Sequence, residues 1–541
     1  MMEPGPQVVT FYSDVDDTEQ PYALYLPKDF DASKRYPLVI SLHGAGSNHR
    51  LNLKRVFGKS NLPGETDVEA SRYFPEWEDV DYIVASPLAR GTMGYQGVAE
   101  KDVLDVLADV KRRFPIDENR IYLTGLSMGG GGTLWIGLTR PDIWAAIAPV
   151  CPAPPGGTDA FAPNALNIPV HFFQGGADPV VRPEGVREWA KRLEELGTEV
   201  EYTEYPGVAH DSWVQAYEGG RIFELFSRYQ RNPFPVRVRF TTDRYKYNRA
   251  YWVRLDALTP GAQAAIDAQF SAANRIVITT TGLDGFTLLL AGHPNYTPGK
   301  PLAVQIDGAS LEADAADSVS FSREEGNWRV GKAVKAPSAK GPGSEGPISE
   351  AIASRHVYVY GTAGNPSEEE ARERLAVANK AADWAVYRGP FMGRVLVFPR
   401  VLADNEVRPS DFESANLVLF GTRETNTVIE KYADILPVHL NDPSGEYGLV
   451  YIYPAGGKYV LVSSGLPWWT VDPEAAPARR SPFAGQIAAF GLNGMQDFVL
   501  FKGSAENVVA EGRFDSQWRL SAEDVNKLTA TGVVQVTGAH E

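Results

Sequence analysis

Gly125-Leu126-Ser127-Met128-Gly129 has the G-x-S-x-G form that places a serine on a sharp turn between a strand and a helix. Attack on a carbonyl needs that hydroxyl held clear of the backbone, and the flanking glycines leave room for the cramped turn. The apolar run Ile121-Tyr122-Leu123 enters the motif, and Gly130 to Gly132 followed by Thr133-Leu134-Trp135-Ile136 leave it as a helix. No other serine satisfies the pattern. Such a serine needs an acid and then a histidine further along the chain. Asp178 stands in Gly175-Gly176-Ala177-Asp178-Pro179-Val180-Val181, directly after the run Val170 to Gln174. Aspartate before proline is also a common turn residue, so it is the place after a strand that selects it. His210 ends Tyr205-Pro206-Gly207-Val208-Ala209-His210, after the run Val200 to Glu204. Its rival as base, His171, lies inside a strand ahead of the acid and reads as a core or sheet-edge residue.

Acyl transfer also needs hydrogen-bond donors aimed at the developing oxyanion. Leu38 to Leu42 runs into His43-Gly44-Ala45-Gly46, a small-residue turn whose N–H groups can face a ligand. The expected backbone donors are Ala45 and Met128, with Gly44 and Gly46 as alternatives to Ala45. His43 reads as a turn-stabilising side chain. Candidate walls of a substrate pocket are Trp77 (with Phe57, Tyr73 and Phe74 in the long Ser47 to Trp77 stretch), Tyr95 and Trp213. Core packing is the competing reading for each. There is no H-E-x-x-H, no cysteine pair and no histidine cluster at ligand spacing, so neither a metal nor an organic cofactor is expected. The single cysteine, Cys151, follows an apolar run and reads as a buried, inert thiol.

The elements that must position these groups alternate. Strand candidates are Pro37 to Leu42, Tyr82 to Ser86, Arg120 to Thr124, Ala145 to Val150, Val170 to Gln174 and Val200 to Glu204. Helical spacing appears in Lys101 to Phe114, Glu184 to Leu196 and Glu218 to Tyr229. That rhythm predicts an α/β fold with a mostly parallel sheet. From about 233 the pattern turns to alternating strands (236–240, 251–255, 275–281, 302–306 and 319–321), a small β-sandwich-like unit. Pro337 to Pro347 reads as a linker. After it come a strand at Val357 to Tyr360, a helix at Ser367 to Trp384, and strands at Val395 to Phe398 and Leu417 to Phe420, a C-terminal α/β domain. The expected division is therefore 1–232, 233–336 and 337–541. Two later strands end in Gly-Thr, at Gly361-Thr362 and Gly421-Thr422. They could bind a small anion at a helix N-terminus, although plain strand-to-helix turns fit better.

A chain of 541 residues is long for one domain, and 43% hydrophobic with 22% charged residues is the balance of a globular protein with ordinary cores. A formal charge of −16 argues against nucleic acid or an anionic membrane surface as partner. No run of 18 apolar residues occurs, so no segment reads as a membrane span. The N-terminus shows neither a basic n-region nor an apolar h-region, which leaves the cellular location open, including export with the signal removed.

Residues 20 to 230 resemble the serine esterases grouped with polyhydroxybutyrate depolymerases and feruloyl or acetylxylan esterases, also described as prolyl-oligopeptidase-like hydrolases. The resemblance rests on Leu42-His43-Gly44-Ala45-Gly46, Arg120 to Gly130, Trp144-Ala145-Ala146-Ile147-Ala148-Pro149-Val150, Asp178-Pro179-Val180-Val181 and Ala209-His210. It implies an α/β-hydrolase domain and ester hydrolysis through an acyl-enzyme. The implied substrate is a carbohydrate-linked hydroxycinnamate or a polyester, and feruloyl ester is the first expectation. The alternatives are a peptidase of the prolyl-oligopeptidase type and a binding protein built on an inactive hydrolase fold. Against the peptidase, about 35 residues before the first core strand are too few for an N-terminal propeller.

Overall fold

Tyr36-Pro37-Leu38-Val39-Ile40-Ser41-Leu42 is buried along its whole length, as a strand covered on both faces must be. It forms β3, near the middle of an eight-stranded sheet of order β1-β2-β4-β3-β5-β6-β7-β8. The other strands are β1 (Gly5–Ser13), β2 (Thr18–Leu26), β4 (Ile83–Pro87), β5 (Ile116–Leu126), β6 (Ala146–Val150), β7 (Val170–Gly175) and β8 (Val200–Tyr205). From β4 to β8 every neighbouring pair is parallel, while β2 runs antiparallel to β4. The helices around this sheet are α1 (His49–Val56), α2 (Asp67–Ala70), α3 (Val98–Arg113), α4 (Met128–Thr139), α5 (Pro183–Glu195), α6 (Trp213–Ala216) and α7 (Arg221–Ser227). The N-terminal region is thus an α/β-hydrolase fold with a mostly parallel sheet. The computed structural model describes residues 3–259, 261–314, 316–333, 336, 338–389, 392–471 and 487–537.

β1 and β2 extend the sheet where the sequence pattern had suggested only a lead-in. A helix expected from Glu218 begins as an α-helix only at Arg221, because Gly219 and Gly220 both take positive φ, 62° and 71°.

Residues 237–330 form two five-stranded sheets around one core that includes Trp252, Phe270, Phe286 and Phe321. By contact the chain divides into two compact units, the first comprising Met1–Tyr12, Glu19–Val334 and Gly389–Gly393. The β-rich segment therefore shares a unit with the sheet that carries Ser127.

The second unit comprises Ser13–Thr18, Lys335–Arg388 and Arg394–Glu541. It is built on a seven-stranded sheet with parallel strands His356–Tyr360, Arg400–Ala403, Asn416–Phe420 and Lys458–Gly465, extended by antiparallel strands up to residue 512. Val395 to Phe398, expected as a strand, is not one; pairing with Val357 begins at Arg400, just past Pro399, which has no N–H to give to a ladder. Pro337 lies outside the described residues, but much of the expected linker after it is packed structure. Lys340 is buried against Asp497, and its N–H donates to Ser516 O. The two Gly-Thr strand ends are closed turns. A Cβ on Gly361 would lie 2.0 Å from Thr425 O, and Glu370 caps the helix that follows Gly361 where an anion would bind. Among the described residues no helix is long and apolar enough to cross a membrane.

Candidate active site

Ser127, Asp178, His210 and the 43–46 turn all emerge from the same ends of parallel strands, after β5, β7, β8 and β3. Ser127 joins β5 to α4 at φ 55°, ψ −116°, a strained conformation for a residue with a side chain. What holds it there is close backbone packing. Its N–H donates to Val150 O at 2.9 Å, and its carbonyl accepts from Gly131 and Ala153 N–H at 3.0 and 3.1 Å. A Cβ on Gly129 would stand 2.2 Å from Leu42 O, so only glycine lets α4 leave the turn so close to β3.

The structure brings the three side chains together. His210 Nε2 lies 2.9 Å from Ser127 Oγ, and His210 Nδ1 lies 2.8 Å from Asp178 Oδ2. Asp178 is 4% exposed, and its Oδ1 accepts the N–H groups of Val180 and Val181 at 2.8 and 2.9 Å. With a carboxylate against Nδ1 and a hydroxyl against Nε2, one neutral tautomer satisfies both contacts, the one with its proton on Nδ1. Nε2 is then left with a lone pair facing Ser127. His171 lies elsewhere, stacked on Phe173 at 4.3 Å with Nε2 at 2.9 Å from Thr203 Oγ1. Burial pushes its imidazole down.

Met128 is the first residue of α4, so its N–H has no partner within the helix, and no side chain caps that end. Across from it, the 43–46 turn is held from behind. Gly46 N–H donates to Thr92 Oγ1 at 2.8 Å, which removes Gly46 from the possible oxyanion donors. Ala45 N–H meets no acceptor among the described residues. Tyr95 OH donates to His43 O at 2.9 Å, and the fully buried His43 ring touches Gly44 O at 2.8 Å and Leu88 O at 2.9 Å. Burial pushes that imidazole below its usual range despite the two carbonyls. A neutral ring owns one N–H, so it donates to one of them at a time.

The three aromatic candidates fall in different places. Tyr95 is 3% exposed and supports the 43–46 turn from inside, so it offers substrate no surface. Trp77 stacks on Phe57 at 4.6 Å in a cluster with Tyr25 and Phe74. Trp213 lies edge-on to the His210 ring at 5.7 Å, with the Arg55 guanidinium over the indole at 5.2 Å from its centroid. A groove of about 630 Å³ runs elsewhere, between the turn after β6 (Pro152, Pro154) and one face of α5 (Val186, Trp189, Arg192). Sequence reasoning missed it. Helical spacing exposes that face of α5 but says nothing of which loop lies opposite. Cys151 Sγ falls within 4.8 Å of donor atoms of Asp178 and His210. Burial pushes this thiol up to about 12, and a metal would have to displace its proton and the Asp178–His210 contact together.

The Esterase family model matches residues 15–156. A poly(3-hydroxybutyrate) depolymerase of Ralstonia pickettii is 40% identical over 82 residues, 15% of this chain and 16% of its own length. A protein of Aspergillus niger named "Probable feruloyl esterase C" is 26% identical over 167 residues, 29% of this chain and 58% of its own. The chain thus spans less than two thirds of both relatives. Among solved structures, a thermostable esterase superposes with TM-score 0.34 at 29% identity, covering 42% of this chain and 63% of the other.

Proposed function

We propose that the protein is a carboxylic-ester hydrolase working through an acyl-enzyme on Ser127, a reading supported by the match of residues 15–156 to the Esterase family model and by the two esterase relatives. His210 takes the Ser127 proton through Nε2 as the hydroxyl attacks the ester carbonyl, and Asp178 holds the ring in the tautomer that can accept it. The tetrahedral oxyanion is stabilised by the N–H groups of Met128 and Ala45. His210 then protonates the leaving alcohol, and a water activated by the same nitrogen releases the acid. Every group in this scheme lies before residue 232, and residues 233–541 supply none of the reacting groups. We assign the substrate to the feruloyl or cell-wall class ahead of polyesters.

The observation that carries the reading is His210 set between Ser127 at 2.9 Å and Asp178 at 2.8 Å. The test is a panel of p-nitrophenyl esters of increasing chain length, methyl ferulate, a hydroxybutyrate trimer and a proline peptide. Ester turnover is expected, with kcat lowered by about a thousandfold or more in Ser127→Ala and nearly as much in His210→Ala. Turnover surviving in Ser127→Ala, or cleavage of the peptide alone, refutes the proposal.

A further inference from the structure

The 43–46 turn has a third support, from a residue far along the chain. Gly389 and Gly393 group with the unit that carries Ser127. A Cβ on Gly393 would stand 3.0 Å from Gly46 Cα, 3.2 Å from Thr92 Oγ1 and 3.5 Å from the Gly46 carbonyl carbon. Its bare Cα therefore rests on the last residue of the turn and on the side chain that accepts that residue's N–H. The turn itself is short. Ser47 N–H donates to Gly44 O at 3.2 Å, with Ala45 and Gly46 between them and Gly46 at φ 71°. A Cβ on Gly44 would lie 3.5 Å from Ser127 Cβ, so the turn abuts the nucleophile. Any shift of Gly46 passes to Ala45 through one peptide bond.

Gly393 is also fixed from its own side. Its N–H donates to Gly389 O at 2.8 Å, Tyr387 pairs antiparallel with Arg394, and Val395 N–H donates to Val386 O at 3.0 Å. Gly389 and Gly393 take φ 93° and 63°, yet a Cβ on Gly389 would meet nothing within 4 Å. Backbone conformation alone accounts for glycine at 389. At 393 it does not, because asparagine also adopts a φ near 60°; the close approach to Gly46 is what excludes a side chain. An oxyanion site works through donors set in place before the reaction, and a misplacement of about 1 Å costs on the order of a hundredfold in rate. Carbon atoms in contact sit about 3.5–4.0 Å apart, so a side chain at 393 displaces the turn by roughly half an ångström. Taking Ala45 N–H as an oxyanion donor, on which this rests, we infer that Gly393 is a positioning residue of the ester-cleaving site. Its backbone holds Gly46 and Thr92 so that Ala45 N–H stays aimed at the oxyanion. Part of the site is thereby built after residue 232 without adding a reacting group.

The test uses the full chain, with p-nitrophenyl acetate as substrate and an aryl trifluoromethyl ketone as inhibitor, whose adduct with Ser127 carries an oxyanion. Gly393→Ala should lower kcat about tenfold at nearly constant KM and raise Ki of the ketone by a similar factor. The acid limb of the pH profile, set by His210, should keep its midpoint. Gly389→Ala strains the backbone without touching the turn, so it should lower the melting temperature and leave kcat near wild type. Gly393→Asn relieves the strain of positive φ but keeps the added carbon. It should reproduce the loss of kcat, and it decides the matter if Gly393→Ala does not fold. Wild-type kcat in folded Gly393→Ala or Gly393→Asn, an equal loss of kcat in Gly389→Ala, or a loss confined to KM overturns the inference and leaves the wild type's ester turnover standing. A wild-type chain that neither cleaves esters nor labels with a fluorophosphonate at Ser127 refutes the hydrolase reading and this role together.

Discussion

Thr92 and Asp178 act alike on the groups beside them, since each removes a hydrogen-bonding choice. By accepting Gly46 N–H at 2.8 Å, Thr92 ties down the turn on which Ala45, the proposed oxyanion donor, stands. Thr92→Val keeps the shape and deletes the acceptor. The turn should then sample other conformers, lowering kcat by about 10- to 100-fold, short of the 10²–10³ cost of deleting a donor outright. KM and melting temperature should change little, so a steady-state series with a melting curve is the check. Unchanged kcat would mean that the turn is rigid without Thr92. Asp178→Asn acts on the base instead. An amide can donate to Nδ1 and so stabilise the tautomer with its proton on Nε2, where it cannot accept from Ser127. About three to four orders of magnitude in kcat should be lost, with KM nearly constant. A wild-type rate in this variant would place the orienting acid elsewhere.

At the scale of elements, the glycines of α4 divide by what faces them. A Cβ at Gly129 would stand 2.2 Å from Leu42 O, which is backbone of β3 and cannot move aside, so Gly129→Ala should destroy the turn and with it soluble expression or all activity. At Gly137 the nearest atom is Ile147 Cδ1 at 2.9 Å, the far end of a flexible side chain. There the helix propensity gained by alanine, about 1 kcal/mol, offsets the local shift, and a near wild-type melting temperature is expected. Equal damage in both variants would contradict this reading of α4. These same backbone constraints made the turn legible in the sequence. A serine between glycines, entered by an apolar run and left by a helix, has few other structural solutions, and chain order then selected Asp178 and His210. Side-chain direction was not legible. Tyr95 and Trp77 are aromatic residues in loops, and nothing in their neighbours tells whether a ring turns toward substrate or into the core. The α5 groove was hidden for a related reason, since Glu184, Glu188 and Arg192 read as ordinary solvated helix surface until a second loop is set opposite. β1 and β2 escaped notice because Gln7, Thr10, Thr18 and Glu19 dilute their apolar residues at the sheet edge.

For the molecule as a whole, the relevant boundary is not residue 232. Tyr247, from the β-rich segment, sits in the core of the unit that carries Ser127, 4% exposed, with its ring edge-on to Trp135 of α4. Its hydroxyl donates to Glu100 Oε2 at 2.8 Å, and Trp135 Nε1 donates to the same oxygen at 3.2 Å. Arg140 reaches Glu100 Oε1 at 2.5 Å and Lys246 Nζ stands 3.9 Å away. Burial alone would raise this carboxyl, but Lys246, Arg140 and the two hydrogen bonds outweigh it and hold Glu100 at about 2. Nearby, the Asn164 amide bridges Leu138 O and both backbone groups of Thr241. A chain ending at Asn232 would keep the catalytic groups but strip this buried carboxylate of Tyr247 and Lys246 and leave Asn164 half unpaired. It should be insoluble or melt far below the full chain. Tyr247→Phe isolates one part of the loss, about 1.5–3 kcal/mol for a hydrogen bond to a charged group. The pH dependence follows from the direction of the shift. A carboxyl held lower in the folded state than in the unfolded one, where it is about 4.3, contributes stability at neutral pH that is lost as pH falls through that value toward about 2. Melting temperatures of the full chain measured across this window should therefore fall more steeply for wild type than for Glu100→Gln, which starts lower at pH 7 and has no proton to take up. Parallel curves for the two proteins would show that Glu100 does not couple the β-rich segment to the sheet, and that the link between them rests on apolar packing and on uncharged hydrogen bonds such as those of Asn164.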